Sequence, residues 1–372
     1  MSPMRSMSSV SPKGPTGPKS PTREVVLTLG PATARVRTRA VLTVATLALL
    51  AFAGLVASVS LGTFAVPVGD VLGVLFGGGP ADARLIVLDL RLPRALTAVL
   101  AGLAFGLAGA VFQAVTRNPL ASPDLIGISA GAGAGAVAAI MFGGVTAAGA
   151  ATFGAVPFGA LAGALVSAVL IYLLAYRGGT ITGYRFVLVG IAVNGALAAL
   201  TRWMLARADI DQAARAMTWL TGSLNGRGYD HVRWVGIALL LLVPLTLALV
   251  RPYQLLQFDD DTARSLGMPL ARARIALLLL ATCLAALATS AAGPVAFVAL
   301  GAPHIARRLA GTAGIPLITS GLVGAALLVL ADLAARLVLD PIELPVGIVT
   351  GAVGAPYLLL LLARANRAGR GG

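Results

Sequence analysis

Charge is scarce in this chain. Only 14 of its 372 residues are acidic, and charged residues of both signs make up 11%, against about 25% in an ordinary soluble domain. Length alone would fit a soluble protein of about two domains. The composition excludes one, because 58% of the residues are hydrophobic and they fall in long runs at 40–61, 95–115, 235–250, 275–292 and 345–363. Runs of about 18–20 apolar residues cross a bilayer as helices. Cysteine is nearly absent too. Cys283, alone in an apolar run, has no disulfide partner in the chain and no companions for a metal cluster, and reads as a small buried hydrophobe. The two histidines, His231 and His304, lack metal-ligand spacing, and His304 in GAPHIARRL reads as a helix-end or interface residue. Lysine occurs only at positions 13 and 19, so no GxxxxGK[ST] phosphate loop exists. No nucleophile–base pair can be assembled, so no catalytic residue, metal site or bound cofactor is expected.

What is present describes a polytopic, all-α membrane protein. Gly and Ala are abundant, as helices that associate in lipid by close packing require. Residues 1–38 hold Pro3, Pro12, Pro15, Pro18 and Pro21 among Ser, Thr, Lys and Arg and read as a disordered basic tail, too long and polar to begin a cleaved signal peptide. A transmembrane domain follows over 39–366, with a C-terminal tail at 367–372. About ten spans are expected, near 40–61, 93–115, 124–142, 151–176, 186–206, 232–250, 273–292, 295–309, 316–337 and 345–363. The span at 295–309 is short for a crossing. With both termini in the cytosol, 19 of the 28 basic residues fall on the inner side, which is the topology bias of a membrane protein and not a nucleic-acid stripe.

Against that background FDDDTARSL (258–266) places three acids, Asp259, Asp260 and Asp261, in one row. A helical turn from Thr262 to Leu266 would take the aspartates at its positive end and stop at Gly267. A second short helix follows from Pro269. Within the spans Asp332 and Arg336 stand i,i+4 and can pair. Carboxylates are otherwise so rare there that a self-sufficient secondary carrier, which relies on them as relays, is disfavoured. Asn118-Pro119-Leu120 breaks the helical pattern, and GISAGAGAG (127–135) suggests close backbone approach or a cavity wall. Asn194 puts an amide in mid-span, costly unless paired or wet.

Four ordered blocks carry a resemblance. They are RLPRALTAVLAGLAFGLAGAVFQAVTRNPLASPDLIGISAGAGAG (91–135), DDDTARSLGMPLARAR (259–274), AGPVAFVALGAPHIARRLAGT (292–312) and ADLAARLVLDPIELPVGIVTGAVGAPYLLLLL (331–362). Together the chain from about 60 to 365 resembles the FecCD/BtuC-type permeases of ABC importers for iron siderophores, vitamin B12 or haem. WLTGSLNGRGYDHVRW (219–234) and NPLASPD are similar to the ferric-enterobactin members. The resemblance implies the type II importer permease fold of ten helices. It also implies a second permease subunit (a different chain by the enterobactin likeness), two ATPases that hold Mg-ATP, and an extracytoplasmic binding protein. Cobalamin and haem stand as alternative cargoes. By the same resemblance Asp259, Asp260, Asp261, Thr262, Ala263, Leu266 and Gly267 form the coupling segment (about 258–272) facing the ATPase. Arg91, Arg94 and Arg336 receive acidic residues of the binding protein. The path is assigned to Gln113, Asn118, Ser129, Gly131, Gly133 and Asn194.

Overall fold

The computed structural model describes residues 24–29, 32–62, 64–143, 152–177 and 183–368. Its contacts divide the chain into a unit from Met1 to Leu42 and a unit from Thr43 to Gly372. In the first, β1 (Glu24–Leu29) pairs antiparallel with β2 (Ala32–Arg37), in a register running from Glu24 opposite Arg37 to Leu29 opposite Ala32. This corrects the disorder expected through residue 38. The five prolines that suggested it all precede residue 24, whereas EVVLTL and ATARVR carry the Val, Leu and Thr content of a strand pair. Residues 1–23 and 369–372, parts of the two expected tails, lie outside the described residues.

From Thr38 onward the described elements are helical. In chain order the helices are α1 (Thr38–Ser60), α2 (Val68–Leu75), α3 (Ala81–Arg84), a π-helical turn (Leu85–Arg91), α4 (Leu92–Thr116), α5 (Ile128–Phe142), α6 (Thr152–Ala175), α7 (Gly183–Arg207) and α8 (Ile210–Leu220). Then come α9 (Tyr229–Ala248), α10 (Val250–Leu255), α11 (Asp260–Ser265), α12 (Leu270–Ala292), α13 (Val298–Ala310), α14 (Leu317–Leu337) and α15 (Val346–Ala368). Helices α1, α4, α5, α6, α7, α9, α12, α13, α14 and α15 stand where the ten spans were expected. Seven are long and apolar enough to cross a membrane, while α5, α13 and the apolar part of α15 are shorter. The 13 residues of α13 rise only about 20 Å, against a hydrocarbon core of about 30 Å. A non-helical lead-in from Gly293 to Phe297 precedes it.

Helix α4 is the axis of the core. It is buried on nearly every side, from Ala98 through Phe105, Val111 and Phe112, and lies against α12, α13 and α14. Small residues let these backbones touch. A Cβ on Gly106 would fall 2.2 Å from the Ser320 carbonyl oxygen, and one on Gly109 would fall 1.8 Å from that of Ala299. Helices in lipid gain their association from such contact, since apolar burial alone does not favour helix over lipid tail. By contrast α1, α7 and α9 expose most of their apolar length, as surfaces that face lipid must.

Candidate functional site

One end of the bundle carries α11. Asp259 is its N-cap: one carboxylate oxygen accepts from the Thr262 backbone N–H at 3.0 Å and the other from the Thr262 hydroxyl at 2.6 Å. These bonds hold the Asp259 carboxyl below its usual range. The helix stops in a Schellman arrangement. The Gly267 N–H donates to the Arg264 carbonyl and the Met268 N–H to that of Ala263, with Gly267 at φ +76° and open space where its side chain would be. The expected turn is therefore present. The second short helix is not: Leu270, just after Pro269, begins the 23 residues of α12 without interruption.

Within the segment expected to couple, the side chains divide by direction. Ala263 is fully buried, and Asp260 turns inward. Its carboxylate pairs with Arg117, the left-handed C-cap of α4, and with Arg274 of α12 at 3.1 Å. Burial raises the Asp260 carboxyl, but the two guanidiniums outweigh that and hold it below the ordinary range. Asp261 pairs at 2.9 Å with Arg264 on the same helix. The exposed apolar groups are Phe258 and Leu266. Asp260 and Ala263 thus fasten the segment to the bundle, and Phe258, Leu266 and Gly267 are exposed. Phe258 was not singled out from sequence; it sets a large exposed apolar ring beside the three aspartates.

Two helix breaks meet in the middle. Ser129 donates to Asp124 at 2.9 Å, and the backbone N–H of Phe297 also donates to Asp124. Gly127 and Phe297, the residues entering α5 and α13, both have positive φ. Asp124 was not singled out from sequence. A carboxylate at the mouth of a broken span is an expected partner for such orphan backbone groups. It borders a cleft of about 270 Å³ with Ser129, Leu220, Thr221, Pro294 and Gly347.

The proposed path residues do not share one cavity. Gln113 donates to the Leu300 carbonyl at 3.0 Å and lines a second cleft, of about 270 Å³, with Arg117 and His304. His304 bonds the Pro119 carbonyl at 2.9 Å, an interface role. Asn118 accepts from the Leu120 N–H at 2.9 Å and borders a third cleft, beside Tyr184. Gly131 packs against α6, where a Cβ would lie 2.5 Å from the Gly163 carbonyl oxygen, and Gly133 faces Leu220 of α8. Asn194 is half-buried, its backbone against Gly127.

The opposite end holds a network of arginines. Arg94 grips Asp332 with its Nε and Nη2 at 2.9–3.1 Å and reaches Glu343 with Nη1 at 2.8 Å. Arg336 stands 3.5 Å from the same Asp332 and donates to the Ser58 carbonyl at 2.9 Å. The Asp332 side chain is fully buried between the two cations. Arg91 donates to the carbonyls of Val59, Ser60 and Phe64, closing the chain after α1. All three arginines are less than one-tenth exposed. The pairing of Asp332 with Arg336 was legible from their spacing, and the stronger partner Arg94 was not. Beside them Arg227, on the loop between α8 and α9, donates to the Ser223 carbonyl at 3.3 Å and lies 3.1 Å from the His231 ring. Burial pushes its guanidinium down to about 10. Arg91, Arg94, Arg227, Arg336 and Glu343 line a cleft of about 440 Å³.

A model of the FecCD transport family matches residues 29–364. The ferric enterobactin transport system permease protein FepG of Escherichia coli (strain K12) is 41% identical over 299 residues, which cover 80% of this chain and 88% of that protein. The iron-uptake system permease protein FeuC of Bacillus subtilis (strain 168) is 39% identical over 318 residues, 83% of this chain and 94% of that one. A solved metal-chelate-type ABC transporter in an inward-facing conformation matches with a TM-score of 0.74 and 26% identity, over 87% of this chain and 99% of its own. A helical bundle of multiple spans, ordered motif blocks and a family match over nearly the whole chain agree, and the chain belongs to the FecCD transport family: it is a membrane permease of an ABC importer, a transport component and not an enzyme.

Proposed function

We propose that this permease carries a ferric siderophore of the catecholate class across the bacterial cytoplasmic membrane, with both termini in the cytosol. The observation that carries the reading is the 41% identity to a ferric enterobactin permease over four-fifths of this chain. A second, non-identical permease subunit completes the path, which accounts for Gln113, Asn118 and Ser129 bordering separate clefts in one chain. Two ATPase subunits, which hold the Mg-ATP, seat against α11 through Phe258, Leu266 and Gly267. A binding protein delivers cargo at the end that holds Arg91, Arg94 and Arg336. ATP closes the ATPases, α11 moves with them, and the bundle opens alternately to either side. The permease forms no covalent bond with its cargo.

The test is uptake of iron-55 supplied as ferric enterobactin, under iron limitation, in cells with and without the gene. Loss of uptake, restored by the wild-type gene and not by a Leu266→Asp, Gly267→Val variant, is the expected result. Normal uptake without the gene overturns the cargo, and labelled cobalamin and haem are then compared in the same cells.

A further inference from the structure

We propose that Arg227 is a docking residue for a carboxylate of the extracytoplasmic binding protein, and that it forms with Arg91 the receptive pair at that end of the permease. The inference rests on the reading that a binding protein docks there, and it changes which cations do the work.

The argument is one of counter-charge. Of the four arginines lining the 440 Å³ cleft, Arg94 and Arg336 already share buried Asp332, and Arg94 also holds Glu343. An incoming carboxylate would have to compete with bonds already made at 2.8–3.1 Å. Arg91 and Arg227 form no ion pair among the described residues; Arg91 bonds only carbonyl oxygens, and Arg227 a carbonyl and a neutral ring nitrogen. The Arg227 Nε is buried with no acceptor at all. An unmatched cation whose Nε is shut off from water carries a desolvation cost, and a carboxylate in the cleft would offset part of it through two-pronged pairing. The acids lining the cleft are Asp89 and Glu343, against four arginines. An acidic side chain fits this charge and this volume. An acidic partner protein is therefore favoured over a neutral surface, and the charged contacts would set register and encounter rate.

The experiment uses the intact importer in lipid nanodiscs and its binding protein, with affinity read by biolayer interferometry. Arg227→Glu and Arg91→Glu are each expected to weaken binding at least tenfold. Arg227→Lys, which keeps charge but loses the fork, should fall in between. Size exclusion confirms that every variant assembles. A charge-reversal scan of binding-protein carboxylates should find one whose change to Arg restores affinity to Arg227→Glu. If Arg227→Glu assembles and binds as tightly as wild type while Arg91→Glu is weakened, this inference is overturned and docking at this end stands. If neither variant changes affinity, docking at this end falls with it.

Discussion

The two ends of the bundle solve opposite problems in charge. At the α11 end one carboxylate, Asp260, meets Arg117 and Arg274 at the rim, a third exposed. At the other end one carboxylate, Asp332, meets Arg94 and Arg336 with none of its side chain exposed. Each cluster is centred on one carboxylate, with Arg264 also 3.9 Å from Asp260 and Glu343 also on Arg94, but solvent access differs. Water screens the first cluster, so it positions a segment without adding much stability. Its absence from the second makes each partner indispensable to the others. The rim cluster is suited to a part that moves against a partner, and the buried cluster to a part that must hold its shape.

The contrast is sharpest in Asp332→Ala. It leaves buried Arg336 with no carboxylate and Arg94 with Glu343 alone, and should cost about 3–5 kcal/mol, read as a large fall in melting temperature of the solubilised complex. Asp332→Asn, which keeps an acceptor, should cost less. A result within 0.5 kcal/mol of wild type, about the scatter of surface changes, would erase the distinction between the ends. Next in size is Gly109→Ala, where the new methyl meets the Ala299 carbonyl. Overpacking predicts a loss of about 1–3 kcal/mol with the charge clusters untouched, so stability should fall while binding-protein affinity, if the protein folds, does not.

Asp260→Lys should cost less stability than Asp332→Ala, because Asp260 is a third exposed where Asp332 is fully buried, yet should uncouple transport from ATP hydrolysis because α11 is released from α4 and α12. Melting temperature and uptake measured on the same variant separate the two effects. A pH series refines it. The Asp259 and Asp260 carboxyls lie below their usual values in the folded state, so their support is complete above the unfolded carboxylate range near pH 4 and is lost as pH falls through the depressed values. Hydrogen exchange of the α11 amides should stay flat from about pH 8 to 5, after correction for intrinsic rates, and rise only below about 4.

The same division explains what could be read without coordinates. The spans, the α11 cap and the Gly267 stop are local: each is written in a few consecutive residues, and each was anticipated. Helix α8 was legible too and was overlooked, since Asp209 and Gln212 form a capping box before an amphipathic stretch. The hairpin at Glu24–Arg37 was hidden by the prolines upstream of it. The Arg94–Asp332 pair joins residues 238 apart, and no spacing rule reaches that far. The directions of Asp260 and Ala263 depend on where α4 and α12 end, so the turn at 259–267 was legible while its inward and outward faces were not. Asp124 is decided by the meeting of two breaks, 118–127 and 293–297, that are separate in sequence.

Helix α4 spans both worlds. Arg94 lies in its first turn and Arg117 caps its last, so its 25 residues make a rod of about 37 Å with an ion-pair cluster at each tip. Its sides are keyed to α13 and α14 by backbone against backbone, at Gly106 and Gly109, without the compliant cushion that long side chains would supply. A rod so mounted neither bends nor shears easily. The two ion-pair clusters are thereby tied to one strut, whose close seating comes from residues that have no side chain at all.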